Sequence, residues 1–156
     1  MTNRVQVSSP AAVRTAVGEI FQTLYPTHSF DAVWMAFHDF ERLFLGREPD
    51  YHAVDTTYHD IQHTLDMTLA LARLIAGHES TVTAKDRLGP ERATLALITA
   101  LFHDAGYLRH KRTDRDAVNG SEFTLTHVSR GAAFLSSYLP RIGLDDLSPI
   151  ATQIVH

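Results

Sequence analysis

A chain of 156 residues, 44% hydrophobic and 21% charged, is long enough to bury one core and reads as a single globular domain over residues 1–156. Its formal charge of −4 argues against a general nucleic-acid binder, which carries a basic surface. The absence of cysteine excludes disulfide frameworks, thiolate metal sites and thiol nucleophiles, so any metal must be held by imidazoles and carboxylates.

The N-terminal MTNRVQVSSP has no apolar stretch of the signal-peptide kind. Ser9-Pro10 reads as a helix N-cap followed by proline at the first helical position, and Val13, Val17, Ile20 and Leu24 then keep helical spacing up to Tyr25-Pro26. A second helix is expected from Ser29 or Phe30, with Val33, Phe37, Phe40 and Phe44 on one face and a stop at Gly46 and Pro49. Residues 47–57 are a polar connection. A third helix is expected from about Tyr58 to Ala76, ended by Gly77, with a loop containing a short turn from His78 to Gly89. Pro90 opens a fourth helix whose uncharged run, Ala93 to Phe102, lacks a polar face and therefore belongs at the centre of the fold. That run is too short to span a bilayer, and a cytoplasmic protein without membrane contact is expected.

Gly106 is expected to close the fourth helix, and a basic stretch with Arg109, Lys111, Arg112 and Arg115 follows. Asn119-Gly120-Ser121 introduces a fifth helix carrying Val128, Ala132, Leu135 and Leu139, and Ser148-Pro149 opens a sixth. The sixth ends on Ile154-Val155-His156 without a cap and reads as a helix cut short. No run of alternating β-branched residues interrupts this series, so the expectation is an all-α bundle of about six helices.

Ten histidines are many for this length, and they are dispersed rather than clustered as in a tag. His59 and His63, four apart, are expected on one face of the third helix; alone, that spacing arises as often by chance on a surface. His103-Asp104 ends the most apolar helix. An aspartate there opposes the helix dipole, and burying it is costly without a partner. A metal ion would answer both objections by binding imidazole and carboxylate together.

A histidine on one helix, followed about forty residues later by His-Asp closing an apolar helix, resembles the HD superfamily of metal-dependent phosphohydrolases. The Tyr58-His59-x-x-x-His63 segment, with Asp66 beyond it, is similar to the part of cyclic-nucleotide phosphodiesterases that holds their acid and first metal ligand. The resemblance implies an HD-type helical bundle with His63, His103 and Asp104 as ligands, Asp104 able to bridge two ions, and His59 as proton donor to the leaving oxygen. His127, in HVSRGAAFL, resembles the segment that supplies a second-metal ligand in two-metal HD-GYP phosphodiesterases, and His156 resembles the next ligand there; a packed histidine and a chain-end histidine are the structural alternatives. The chain departs from HD-GYP proteins in following His-Asp with Ala105-Gly106-Tyr107 and in lacking the GYP motif. The superfamily's closing aspartate has no counterpart either, since Asp145 and Asp146 fall in a loop too early for it.

The implied chemistry is hydrolysis of a small phosphorylated substrate, a nucleotide-like monoester or diester, with one or two divalent ions drawn from Mn, Fe, Zn, Ni, Co and Mg. Asp60 or Asp66 would orient an imidazole, and Arg109, Lys111 and Arg112 would grip phosphate. His28, His38, His52, His78 and His110 have no partner spacing and read as structural or surface residues. Two rival readings keep the fold: a di-iron oxygenase, and a non-catalytic HD-like signalling or binding domain.

Overall fold

The computed structural model describes residues 8–155. Among them lie six α-helices and no strand: α1 (Pro10–Leu24), α2 (Asp31–Phe44), α3 (Ile61–Thr81), α4 (Pro90–Phe102), α5 (His127–Arg141) and α6 (Ser148–Val155). A lone antiparallel bridge pairs Tyr51 with His110. No helix among the described residues is long and apolar enough to cross a membrane.

The start of α1 follows the sequence. The Ser9 hydroxyl accepts the Ala12 amide at 3.3 Å, and Pro10 occupies the first turn, where its missing N–H costs nothing. As its composition requires, α4 is the central element, packed against α2, α3, α5 and α6. Leu95, Leu97, Ile98, Leu101 and Phe102 are buried on its several sides, each contributing about 1.5–3 kcal/mol by leaving water. One contiguous core draws residues from all six helices.

Four helix boundaries differ from expectation. Helix α3 starts at Ile61 rather than Tyr58, because the Asp60 carboxylate caps it by accepting the His63 amide at 2.8 Å. It then runs through Gly77 to Thr81: a mid-helix glycine costs only about 1 kcal/mol, and beyond it the buried Glu79 carboxylate anchors the returning chain through the Leu88 amide at 2.6 Å. The loop after α3 is correspondingly shorter and holds the expected turn, Ala84–Asp86.

The segment from Asn119 is not yet α5. Asn119 caps a short 3-10 turn, Gly120–Phe123, by accepting the Ser121 amide, and the helix proper begins at His127. Gly106 also has a role other than stopping α4, which ends at Phe102. Gly106 lies in a 3-10 turn, Ala105–Tyr107, pressed against the first turns of α5. A Cβ on Gly106 would overlap the His127 carbonyl, and one on Gly131 would stand 2.8 Å from the His103 carbonyl oxygen. Backbone meets backbone here.

Arg130 fastens the same junction. Its Nε donates to the Gly106 carbonyl at 2.7 Å, its Nη2 to the Leu108 carbonyl at 2.9 Å and to Asp114 Oδ2 at 2.8 Å. The guanidinium also lies 3.7 Å from the Phe123 ring centroid. Burial pushes the Asp114 carboxyl up, but the Arg130 bond and the His110 amide outweigh it and hold Asp114 below the usual carboxylate range. Arg130→Met, which keeps the stem and removes the donors, is expected to destabilise the fold by about 2 kcal/mol in a urea titration. A loss under about 0.5 kcal/mol, the range of ordinary surface substitutions, would mean the clamp contributes nothing.

Candidate metal centre

The cluster is assembled where the start of α3 meets the end of α4. His63 is in the first turn of α3, its amide held by Asp60. His59 precedes that helix, so the expectation that both histidines share a helical face is corrected. The extended Asp60 turns the chain, and the Thr56 hydroxyl holds the His59 carbonyl at 2.7 Å. The two rings still meet, with centroids 5.5 Å apart at nearly right angles. Facing them, His103 caps the end of α4 and Asp104 opens the turn behind it. Asp104 is 2% exposed.

Three imidazole nitrogens converge on one oxygen of that buried carboxylate. Asp104 Oδ2 lies 2.8 Å from His59 Nδ1, 3.1 Å from His103 Nε2 and 3.6 Å from His63 Nε2. The proton positions are constrained at His103, whose Nδ1 is 2.7 Å from the Ala100 carbonyl. A carbonyl only accepts, so Nδ1 carries the proton, and in a neutral ring Nε2 presents a bare lone pair to an anion. That contact requires positive charge, either a proton on Nε2 or a cation among the ligand atoms. The donor set fits a cation: atoms of His59, His63 and Asp104 all lie within 4.8 Å of one another, and the lone pairs are of the imidazole and carboxylate kind.

Without a cation, protons must supply the charge. Burial pushes the Asp104 carboxyl up, but hydrogen bonds and charge from His103, then His59, carry it below the usual range. Burial pushes His103 down, and the Asp104 hydrogen bond and charge, with the Ala100 carbonyl, bring it above the ordinary histidine value. The depressed Asp104 contributes stability above its unfolded value of roughly 3.9, lost as pH falls through the folded one. The raised His103 contributes fully below roughly 6.5, and that contribution is lost as pH rises through its folded value. The metal-free pair is therefore expected to stabilise the fold most between about pH 4 and 6.5. A divalent ion, which needs unprotonated imidazoles, is expected to move that optimum upward. Thermal unfolding over this range and above it, with chelator and with zinc, checks both halves; superimposable profiles would remove the coupling.

His127 is oriented in the same manner as His103. Its Nδ1 is 2.7 Å from the Thr124 carbonyl, which leaves Nε2 as the lone-pair atom that a ligand needs. Its ring lies 6.2 Å from that of His59 and 4.4 Å from Tyr107, nearly parallel to the latter. Tyr107 also stacks on His59 at 4.4 Å, so the buried tyrosine joins the two histidines. His156, the other expected second-metal ligand, lies outside the described residues. Compared with known protein families, curated proteins and solved structures, the chain matches none.

The expected phosphate grip is largely engaged elsewhere. Arg109 pairs with Asp55 at 2.7 Å and donates to the Ala117 carbonyl, while Lys111 donates to the Pro49 carbonyl at 2.9 Å. Arg112 is exposed, with its side chain unpaired among the described residues. Neither carboxylate expected to orient an imidazole does so: Asp60 caps α3, and the exposed Asp66 pairs with Gln62. Asp145 and Asp146 fall in an exposed 3-10 turn. His28, His38, His52 and His78 are exposed, and His110 packs edge-on against Tyr51.

The sequence singled out Tyr107 only within a departure from the HD-GYP pattern, and Tyr58 only as part of a motif. Tyr58 is exposed and packs over His63 at 4.9 Å between centroids. Sequence reasoning missed the Ala100 and Thr124 carbonyls, each three residues before the histidine it orients. That offset was the available signal.

Proposed function

We propose that this chain is a metal-dependent phosphohydrolase of the HD type, acting on a small phosphate ester. The observation that carries the reading is the convergence of His59, His63 and His103 on one oxygen of buried Asp104. His63 and Asp104 would hold a divalent ion together with His103, as the resemblance implies, or with His59, which completes the group whose ligand atoms all lie within 4.8 Å of one another. The ion would supply charge to polarise a phosphoryl oxygen and acidity to make water a nucleophile near neutral pH. The C-terminal end of α4 favours a cation at this place.

His59 is assigned the proton. Its Nδ1 is held at hydrogen-bond length by Asp104 Oδ2, which fixes the ring and leaves Nε2 to deliver a proton to the leaving oxygen. His59 is also close enough to serve as a ligand, and His59→Asn separates the roles. A proton carrier predicts retained metal, a kcat lower by about 100-fold, and loss of one limb of the pH–rate profile. A ligand predicts loss of metal.

The test is a screen of phosphate monoesters and diesters with the protein loaded in turn with Mn, Fe, Co, Ni, Zn and Mg. Hydrolysis that disappears on chelation and in Asp104→Ala supports the proposal. Two equivalents of iron with oxygen uptake and no ester cleavage would replace it with the oxygenase reading. Failure to bind any of the ions would leave a helical binding domain.

A further inference from the structure

An aromatic-walled cavity lies away from the His/Asp cluster, and its chemistry is of another kind. A cavity of about 310 Å³ lies where α2, the 48–51 segment, the end of α4 and α5 meet. Its link to the metal centre is Phe102, the residue before His103. Three rings form its wall: Phe102 and Tyr138 are 4.5 Å apart, and Phe134 is 5.2 Å from Phe102. Tyr51 meets Phe134 edge-on at 6.3 Å and completes the apolar surface. The volume is at the lower end of the range for ligand sites, roughly 300–1,000 Å³, so an occupant must be small.

The polar groups on this wall divide into satisfied and unsatisfied. The Tyr138 hydroxyl donates to Asp39 Oδ2 at 2.9 Å, and Arg42 pairs with Glu48 at 2.8 Å, so these carboxylates already have partners. Asp50 and Arg141, both exposed lining residues, have no side-chain hydrogen bond or ion pair among the described residues. The Tyr51 hydroxyl also lacks a partner there. An anion and a cation that border the same aromatic cavity without pairing with each other define two ends for a ligand of opposite polarity.

We propose that this cavity binds a small zwitterion with an apolar body, of the α-amino-acid type. The ammonium group pairs with Asp50, with Asp39 and Glu48 adding negative field, and the acid group pairs with Arg141. The hydrocarbon part covers the half-buried Phe134 and Tyr51, behind which the buried Phe102 and Tyr138 rings close the wall, and an ammonium group near Tyr51 gains from the ring face as well. The raised hydroxyl pKa values of Tyr51 and Tyr138, due first to burial, agree with a wall largely removed from water.

The site is independent of the phosphohydrolase reading, so its test uses the full chain without metal or phosphate ester. Three probes of similar body are titrated by calorimetry and by NMR shifts of the cavity residues: L-phenylalanine, phenethylamine without the carboxylate, and 3-phenylpropionate without the ammonium. Saturable binding of phenylalanine, at least about tenfold tighter than either single-charge analogue, is expected if both ends are engaged. Arg141→Gln should then weaken phenylalanine and phenylpropionate but not phenethylamine, and Asp50→Asn should do the reverse for the two analogues. Both positions are exposed, so the variants are expected to fold as the parent does. Equal binding of phenethylamine and phenylalanine would overturn the assignment in favour of a plain cation site. No saturation, or binding unchanged in both variants, would overturn it altogether.

Discussion

Asp104→Ala is expected to lower divalent-metal affinity by at least about 100-fold while leaving the helical fold in place. Changes to residues that merely orient ligands cost about 10–100-fold, and Asp104 is more than that: it is the anion common to the whole cluster. Its loss leaves three neutral imidazoles with nothing to hold them at their present spacing. The cost to the fold is separate and smaller. Each hydrogen bond lost to a charged acceptor costs about 1.5–3 kcal/mol, but removing a carboxylate that is 2% exposed also removes its desolvation penalty. Zinc titration by calorimetry, beside far-ultraviolet circular dichroism, reads the two effects apart. Parent-like zinc affinity in the variant would move the metal site away from Asp104.

Gly106→Ala is expected to destabilise the protein by at least about 3 kcal/mol, and to weaken metal binding with it. The added methyl would meet the His127 carbonyl on one side and the Gly131 amide nitrogen, at 2.8 Å, on the other. Neither can rotate away, so α5 itself must move, which places the cost at or above the upper end for overpacking. Gly77→Ala is the matched control. A Cβ there meets nothing within 4 Å and the position is inside a helix, so that change is expected to stabilise by about 0.4–1 kcal/mol. Denaturant titration of both variants measures the difference, and equal midpoints would contradict the close packing at the α4–α5 junction.

Hydrophobic periodicity made the helices legible, and the uniformly apolar run from Ala93 to Phe102 made α4 recognisable as the centre. The candidate ligands were legible because an aspartate at the end of such a helix is hard to explain otherwise. Helix starts were less so. Tyr58-His59 and Asn119-Gly120 both look like entries into helices, yet the cap at Asp60 and the short turn after Asn119 displace the actual starts by several residues. Gly106 shows a deeper limit. Its local context suggests a helix stop, whereas its use is a close approach to residues 127 and 131, which no local pattern encodes. Arg109 and Lys111 fail for the same reason: a basic run beside candidate metal ligands looks available until its tertiary partners, Asp55 and the Pro49 carbonyl, are known.

The hydrogen bond between His59 and Asp104 joins residues 45 apart in the chain. A contact of that separation forms only after α3 and α4 have docked, since closing the intervening stretch costs entropy before ligation returns any. An ion at the cluster would therefore act on a nearly finished molecule, where it hinders escape from the native state more than it hastens arrival. Removing such an ion by chelation should shorten the lifetime of the folded protein and leave its refolding rate almost unchanged, so that the ion would set kinetic persistence.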